Sequence, residues 1–316
     1  MHSEINRIQE LLANQGYVAD RTIATSVYLS ITLRKPLLIE GAAGVGKTEV
    51  AKVMARALDA DLIRLQCYEG LDATTALYEW NYQKQLLHIR LSEGGERSLA
   101  EREAEIFSEG FLLKRPLLDA ITRSQPPVLL VDEIDRADEE FEAFLLEVLS
   151  DFQVSIPEIG TIAATAIPNV VLTSNRTREL GDALRRRCLY LWIDYPTFEK
   201  ELEIVRRRVP EINGRLAEQI SAFMQLIRRL RLDKAPGVAE TLDWSAALMA
   251  LHRDHLDRAA VEETLGVLFK HHDDAAVVRA QWLDQLLDGV AVLEQEGRPW
   301  SQEAVVRAAE RLAIRK

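Results

Sequence analysis

The sequence predicts an α/β fold in which a five-stranded parallel sheet carries helices on both faces, followed by an all-helical domain. Two observations lead to this prediction. Five short apolar runs are separated by segments long enough for crossover helices, and beyond residues 195–196 only helical patterns remain. Helical crossovers cover both faces of a sheet, which is typical of parallel sheets. We therefore expect an α/β domain over residues 1–196 and a helical domain over residues 197–316.

Each predicted strand is short, apolar and followed by a turn or a helical pattern. The five runs are residues 37–39, 62–65, 128–131, 170–173 and 189–193. A helix is expected before the first strand, because Ile23, Val27 and Ile31 recur at helical spacing, and another over residues 49–58. In the second domain, helical patterns occupy residues 198–208, 215–230, 240–255, 260–271, 276–295 and 302–314.

Composition and charge exclude several classes of protein. Apolar residues make up 47% and charged residues 28% of the chain, as in ordinary globular proteins. The net charge of −11 disfavours sequence-independent binding to nucleic acid. Cys67 and Cys188 are interpreted as reduced apolar side chains. Residues 1–8 lack the apolar region of a secretory signal, and no run approaches the ~18 apolar residues of a membrane span, so we expect a cytoplasmic protein.

A glycine-rich motif lies between the first predicted strand and the helix after it. Its residues match G-x-x-x-x-G-K-[ST] at every fixed position: Gly41, Ala42, Ala43, Gly44, Val45, Gly46, Lys47 and Thr48. The glycines allow backbone N–H groups to converge on phosphates at a helix N-terminus. Lys47 can reach the β- and γ-phosphates, and the Thr48 hydroxyl can ligate magnesium. The motif therefore predicts a nucleotide site that uses Mg²⁺.

Two adjacent carboxylates follow the third predicted strand. Asp132 is placed to support the magnesium ion together with Thr48, and Glu133 is placed to orient and deprotonate a water molecule. This pair favours hydrolysis over transfer to a small molecule. The tetrapeptide Asn-Lys-x-Asp, through which GTPases recognise guanine, does not occur in the chain. The sequence therefore predicts an ATPase with ATP as its substrate.

Polar residues near the last two strands complete the predicted site. Asn175 follows the fourth strand, and the carboxyl ends of parallel strands meet at one edge of a sheet, so Asn175 can position the water or sense the γ-phosphate. Before the fifth strand, Arg185, Arg186 and Arg187 form a basic cluster. Such an arginine can neutralise transition-state charge in a neighbouring subunit. Arg187 is the preferred candidate, followed by Arg186, and a solvated helix end is the alternative.

The order of these motifs resembles the AAA+ superfamily of P-loop NTPases and, within it, the MoxR branch. The second resemblance rests on Asp-Glu-Ile-Asp-Arg-Ala at residues 132–137 and on residues 152–168, which look like the β-hairpin that this branch places before the Asn-tipped strand. The resemblance covers residues 16–195, and the helical domain only loosely. It implies a nucleotide-binding core with a helical lid, an adenine pocket near residues 16–18, and a homo-oligomeric, hexameric ring with ATP between subunits.

One helical segment looks like the lid of the CoxD-like MoxR proteins. It reads Gly-Val-Ala-Glu-Thr-Leu-Asp-Trp over residues 237–244. That subgroup is associated with maturation of carbon monoxide dehydrogenase-type molybdenum hydroxylases and with von Willebrand A-domain partners, so the resemblance implies a chaperone-like ATPase for metalloenzyme assembly. Many MoxR relatives carry a nucleotide-sensing arginine here. No arginine occurs between Asp233 and Leu251, and the role is assigned to no residue.

Two other functions remain open. A nucleic-acid motor or loader on the same core would need basic pore loops, whereas the tips of the candidate insertions at residues 67–115 and 152–168 are more acidic and aromatic than basic. An ATP-binding scaffold with little turnover would have no need of Glu133 or of an arginine cluster.

The aromatic residues Tyr78, Trp80 and Tyr82 occur at alternate positions and have two interpretations. They can grip a client polypeptide, or they can form one side of a core helix together with Leu77, Leu87 and Leu91.

Overall fold

The computed structural model describes residues 2–91, 99–297 and 299–312, and the chain divides into two compact units. The first unit consists of Met1–Gln15, Ala19–Gly41 and Lys47–Trp192. The second consists of Gly16–Val18, Ala42–Gly46 and Ile193–Lys316. The segment for which we predict an adenine pocket, Gly16–Val18, therefore groups with the helical unit.

The first unit is built on a five-stranded sheet with the strand order β2-β5-β8-β1-β9. The strands are β1 Leu37–Gly41, β2 Leu62–Gln66, β3 Tyr78–Trp80, β4 Leu112–Lys114, β5 Val128–Asp132, β6 Gln153–Ile156, β7 Gly160–Ala163, β8 Asn169–Ser174 and β9 Leu189–Ile193. Strands β2, β5, β8 and β1 pair in parallel, with Gln66 opposite Asp132 and Glu40 opposite Ser174. The predicted α/β fold, with its five-stranded parallel sheet and helical C-terminal region, is confirmed.

In the part of the first unit that the structure describes, nine α-helices accompany these strands. They are α1 His2–Asn14, α2 Arg21–Leu33, α3 Lys47–Ala57, α4 Ala73–Ala76, α5 Tyr82–Leu91, α6 Leu99–Ile106, α7 Pro116–Thr122, α8 Glu139–Asp151 and α9 Asp182–Arg187. Helix α2 begins at Asp20, whose side chain accepts from the Ile23 backbone N–H, and α8 begins in the same way at Asp138. Such caps satisfy backbone donors that have no partner inside the helix.

Burial along the strands follows their position in the sheet. Strands β1 and β5 are buried at every residue, and β8 at all but Asn169. The outer strands β2 and β9 instead alternate between buried and exposed side chains. Because β1, β5 and β8 lie side by side in parallel, their carboxyl ends meet at one edge of the sheet. The residues at that edge therefore follow directly after strands that are buried almost throughout.

Two antiparallel pairs stand apart from the main sheet. Strands β6 and β7 form a hairpin in the region where the sequence predicts one. Strand β3 pairs with β4, and Trp80 is buried there with its ring edge against Phe107. The interpretation of Tyr78, Trp80, Leu87 and Leu91 as one side of a core helix is wrong. Tyr78 and Trp80 belong to a strand, whereas Leu87 and Leu91 lie on α5 and are exposed.

The second unit contains seven α-helices within the described residues. They are α10 Phe198–Arg208, α11 Gly214–Ile227, α12 Val238–Ala250, α13 Arg258–Leu268, α14 His272–Val277, α15 Leu283–Glu296 and α16 Gln302–Arg311, with a π-helical turn at Val278–Trp282. Helix α11 lies at the centre and is buried nearly all round, with Phe223 against Trp244 of α12. Within the described ranges, no helix has the length and apolar character needed to span a bilayer.

Candidate nucleotide site

The glycine-rich loop lies between the end of β1 and the start of α3. Gly44 has φ +76° and Gly46 has φ +93°, a region of backbone conformation that only glycine adopts readily. A side chain at either position would strain the turn. The loop therefore takes its shape from its glycines and leads directly into the N-terminus of α3, where backbone N–H groups have no partner inside the helix.

Lys47 is buried at the start of α3 with its ammonium group turned back toward the loop. Its Nζ donates to the Gly41 carbonyl at 2.8 Å and to Asn175 Oδ1 at 2.7 Å. Burial lowers the pKa of Lys47, while the carboxylates of Asp135, Asp132 and Glu133 oppose that shift. An anion that enters the loop would therefore stabilise the charged form of the ammonium group.

Asp132 collects hydrogen bonds from three elements at the end of β5. Its Oδ1 accepts from the hydroxyls of Thr48 at 2.9 Å and Thr173 at 2.5 Å, and its Oδ2 accepts from Arg64 Nη2 at 2.6 Å. The Thr48 hydroxyl and the Asp132 carboxylate are hard oxygen donors. They fit Mg²⁺, which is usually held by one or two carboxylates together with substrate phosphates and water.

Glu133 leaves β5 with a left-handed backbone, φ +56° and ψ +49°. This conformation is uncommon outside glycine and is held by a hydrogen bond from the Glu133 N–H to Thr173 Oγ1 at 2.9 Å. Its carboxylate accepts from Gln66 Nε2 at 3.1 Å and from Asn175 Nδ2 at 3.4 Å, and Arg136 lies 3.2 Å away. The turn therefore presents the carboxylate to the same edge as Lys47.

Asn175 connects the lysine to the glutamate, since its Oδ1 accepts from Lys47 and its Nδ2 donates to Glu133. The loop that carries it is anchored by the buried carboxylate of Asp135. That carboxylate accepts from the backbone N–H groups of Asn175 at 3.1 Å and Thr177 at 2.8 Å. The structure thus brings together Lys47, Thr48, Asp132, Glu133 and Asn175.

The three arginines of α9 have different surroundings. Arg185 Nη1 lies 3.1 Å from Oε1 of the buried Glu40, whose other oxygen accepts from the Tyr190 hydroxyl at 3.0 Å. Arg187 is exposed, and its Nε donates to Ser150 Oγ at 2.8 Å. Arg186 is exposed and makes no hydrogen bond or ion pair within the described residues. Arg185 is therefore engaged inside its own subunit, whereas Arg186 has no such engagement.

Arg64, Gln66 and Thr173 are residues of the site that sequence reasoning missed. Arg64 and Gln66 alternate along β2, and the register that places Gln66 opposite Asp132 brings both to the two carboxylates. Two polar side chains in an otherwise apolar strand indicate a candidate site. The residues that they contact can be predicted only when the strand order is known.

In the second unit, Gly44 is in close contact with the start of α12. The backbone N–H groups of Val238 and Ala239 donate to the Gly44 carbonyl at 2.8 Å and 3.3 Å. A Cβ added to Gly237 would lie 2.8 Å from backbone atoms of Gly44, so this approach requires glycine. Glu240 accepts from the Gly237 N–H at 2.8 Å and lies beside the loop, in the region where the sequence lacks an arginine.

Comparison with known proteins finds a similarity to one family over part of the chain. Residues 36–188 match the family model described as AAA domain (dynein-related subfamily). An uncharacterized protein of Staphylococcus haemolyticus is 23% identical over 227 residues, which cover 70% of this chain and 78% of the relative. An uncharacterized protein of Staphylococcus saprophyticus is 22% identical over 257 residues, covering 77% and 90%.

A solved structure with a similar path of the chain is the Thermotoga maritima RuvB Holliday junction branch migration motor. It has a TM-score of 0.44 and 18% identity, and the match covers 96% of this chain and 82% of that one.

Proposed function

Because residues 36–188 carry an AAA domain, we propose that this chain is a Mg²⁺-dependent ATPase. The observation that carries the proposal is the chain of hydrogen bonds from Lys47 through Asn175 to Glu133, beside the oxygen donors of Thr48 and Asp132. Such an arrangement unites phosphate binding, metal binding and activation of water at one edge of the sheet.

Binding of ATP relies on the glycine-rich loop and Lys47. The backbone N–H groups of residues 41–48 surround the phosphates, and the buried Lys47 ammonium replaces its Gly41 and Asn175 acceptors with phosphate oxygens. Thr48 and Asp132 would hold the magnesium ion. When bound, Mg²⁺ neutralises charge that develops on the β- and γ-phosphates.

Hydrolysis relies on Glu133 and Asn175. The Glu133 carboxylate accepts the proton of the attacking water as the oxygen of that water bonds to the γ-phosphorus, and the bond from this phosphorus to the bridging oxygen breaks to release ADP. Asn175 orients the water or the γ-phosphate, because its amide lies between Lys47 and Glu133 and its oxygen is released from Lys47 when phosphate binds. Holding the reactants in this geometry is the main contribution a protein makes to phosphoryl transfer.

We further propose that the chain works as a homo-oligomeric ring, hexameric by its resemblance to the MoxR branch, with an arginine acting on the neighbouring subunit. Arg186 and Arg187 are the candidates, because Arg185 is paired with the buried Glu40. A guanidinium supplied by the neighbour would make hydrolysis depend on assembly.

The client of this ATPase is proposed from resemblance. The segment at residues 237–244 resembles the CoxD-like MoxR proteins, so we propose a chaperone-like role in the cytoplasm. That role is assistance in the maturation of a molybdenum hydroxylase of the carbon monoxide dehydrogenase type, with a von Willebrand A-domain partner. The proposal predicts that such a partner, when purified, changes the rate of ATP hydrolysis.

The test is Mg²⁺-dependent ATP hydrolysis per subunit as a function of protein concentration. Wild type is compared with Glu133→Gln, Arg186→Ala and Arg187→Ala, and Arg253→Ala serves as a control because Arg253 only pairs with Glu263 on the surface of the second unit. We expect the specific rate to rise with concentration, to collapse in Glu133→Gln, and to collapse in at least one of the two α9 variants.

Other outcomes would exclude parts of the proposal. ATP binding with a negligible rate in every variant would favour an ATP-binding scaffold. A rate that is independent of concentration and unaffected by either α9 variant would exclude the shared site. Stimulation by DNA or RNA, without an effect of protein partners, would favour a nucleic-acid motor.

A further inference from the structure

Helix α5 exposes apolar side chains and buries a polar one, which reverses the usual arrangement of a surface helix. Leu86, Leu87 and Leu91 are 59%, 58% and 77% exposed, and Tyr82 is 62% exposed, whereas Gln85 is buried. Burial of exposed leucine side chains is favourable, because it removes apolar surface from water. Contiguous exposed apolar side chains of this kind mark sites of interaction.

The orientation of α5 is fixed by polar and aromatic contacts on its inner side. Gln85 Nε2 donates to the Ile106 carbonyl at 2.7 Å, and Lys84 Nζ donates to the Gly110 carbonyl at 2.7 Å. The His88 ring packs edge-on against Phe111, with ring centres 5.2 Å apart. Because these contacts hold one side of the helix against the residues around 106–111, the leucines are directed outward.

An arginine that has no partner among the described residues lies beside the exposed leucines. Arg90 is four residues after Leu86 and three after Leu87, so the three side chains are neighbours on the helix surface. Arg90 makes no hydrogen bond or ion pair in the described part of the chain, and α5 contains no acidic residue. An apolar cover would bury this charge without a partner, which is unfavourable. An acidic side chain in the covering segment would supply that partner.

We propose that the α5 surface, formed by Tyr82, Leu86, Leu87, Arg90 and Leu91, binds an apolar segment of a client polypeptide that also carries acidic side chains. The inference rests on the proposed function, because a remodelling ATPase must hold its client. Helix α5 of a second copy is a poor partner for this surface. It would place a second basic helix, without any acidic residue, against Arg90.

An anionic membrane fits the α5 surface less well than a peptide. Glu101 and Glu103 are exposed on α6, a helix in contact with α5, and their carboxylates disfavour the approach of an extended anionic surface to this region. A peptide segment can instead contact Arg90 and the leucines alone.

The experiment measures binding of two fluorescent 12-residue peptides to the full chain by anisotropy, without nucleotide. One peptide alternates leucine with glutamate and the other alternates leucine with lysine. The proteins are wild type, the double variant Leu86→Ser with Leu87→Ser, Arg90→Glu, and Leu33→Ser. Leu33 is a matched control, because it is also an exposed leucine at the end of a helix of the first unit.

We expect wild type and Leu33→Ser to bind the acidic peptide at least tenfold more tightly than the basic one. The double leucine variant should lose at least tenfold in affinity for the acidic peptide, and Arg90→Glu should reverse the preference. Equal binding of both peptides, or binding unaffected by these changes, would overturn the proposal. So would a change of oligomeric state in the double variant, or binding of phosphatidylserine vesicles without binding of the peptide.

Because no nucleotide is present, this result does not depend on hydrolysis. The double leucine variant should keep the basal ATPase rate of wild type. Failure of the ATPase test with intact peptide binding would contradict the proposed function alone, and the reverse result would contradict the α5 inference alone.

Discussion

The side-chain amide of Gln66 donates a hydrogen bond to the carboxylate of Glu133, with 3.1 Å between Nε2 and Oε2. This hydrogen bond fixes the orientation of the carboxylate that would accept the proton of the attacking water. Gln66→Ala should therefore lower kcat for ATP hydrolysis about two- to tenfold, the range expected for loss of one hydrogen bond, while KM for ATP is unchanged. Steady-state kinetics checks this, with Gln153→Ala, an exposed glutamine on β6, as the control. An unchanged kcat would contradict a positioning role of Gln66.

Arg64 holds the Asp132 carboxylate oxygen that Thr48 does not contact, at 2.6 Å. A magnesium ion at Asp132 must compete with this guanidinium. Arg64→Gln should therefore lower the Mg²⁺ concentration that gives half-maximal ATP binding, by about threefold to tenfold. A fluorescent ATP analogue titrated with Mg²⁺ measures the change. Arg56→Gln removes a surface pair with Glu49 and should leave the titration as it is in wild type. An increased requirement for Mg²⁺ in Arg64→Gln would show that the arginine supports the metal site.

The parts of the site that lie in one stretch of chain were predictable from the sequence. The glycine-rich motif, the Asp132–Glu133 pair and Asn175 are each recognised beside a short apolar run, because buried strands of a parallel sheet are apolar throughout. The sheet itself follows from the same runs. Contacts across strands were not predictable in this way. Arg64 meets Asp132 only because β2 lies next to β5, and strand order is decided by packing of the whole sheet.

Helix α5 shows a second limit of sequence patterns. The apolar residues of α5 predict a helix face that packs against another surface. This prediction holds only if another molecule packs against α5. The spacing of apolar residues shows which side of a helix is apolar, but it does not show what packs against that side. Here the inner side is fixed by Gln85 and His88, through a hydrogen bond and a ring contact that no spacing rule anticipates.

Gly237→Ala tests the close approach of α12 to the glycine-rich loop. The added Cβ would lie 2.8 Å from Gly44 backbone atoms, so the loop or the helix must shift. Because the loop would bind phosphate through its backbone under the proposed function, we expect the affinity for ATP to fall at least tenfold, with the circular dichroism spectrum preserved. Gly266→Ala on α13 is the control, since nothing lies within 4 Å of its Cβ position. Unchanged ATP affinity in Gly237→Ala would mean that this contact is absent when ATP binds.

The two cysteines should lower the stability of the folded chain as the pH rises into the alkaline range. Burial raises the pKa of Cys67 to about 12, with nearby carboxylates adding to the shift, and burial raises the pKa of Cys188 to about 12. A thiol in the unfolded chain has a pKa of about 8.5. The folded-state pKa is the higher one, so this contribution is fully present below about pH 8.5 and is lost as the pH rises toward 12. Thermal unfolding under reducing conditions should show a steeper fall in Tm between about pH 8.5 and 10.5 for wild type than for Cys67→Ala with Cys188→Ala. Parallel profiles would contradict the prediction.

Glu201 and Arg228 form a buried ion pair in the second unit, with 2.6 Å between Oε1 and Nη2. Glu201 also accepts hydrogen bonds from Gln225 and Thr241, so its charge is fully compensated. Arg228→Leu leaves that charge buried without its cation, and we expect it to lower the free energy of unfolding by about 3–5 kcal/mol. Adding Glu201→Leu to it should restore most of this loss, because replacing both partners removes the uncompensated charge.

Urea unfolding followed by circular dichroism measures both variants. The exposed pair of Arg258 with Glu262 is the control, since removal of a surface pair changes stability by about 1 kcal/mol or less. If the double variant is no more stable than Arg228→Leu, the hydrogen bonds from Arg228 to the Pro236 carbonyl and Thr241 matter more than the ion pair. These two hydrogen bonds support the start of α12, which contacts the glycine-rich loop. In that case both variants should lose affinity for ATP as well as stability.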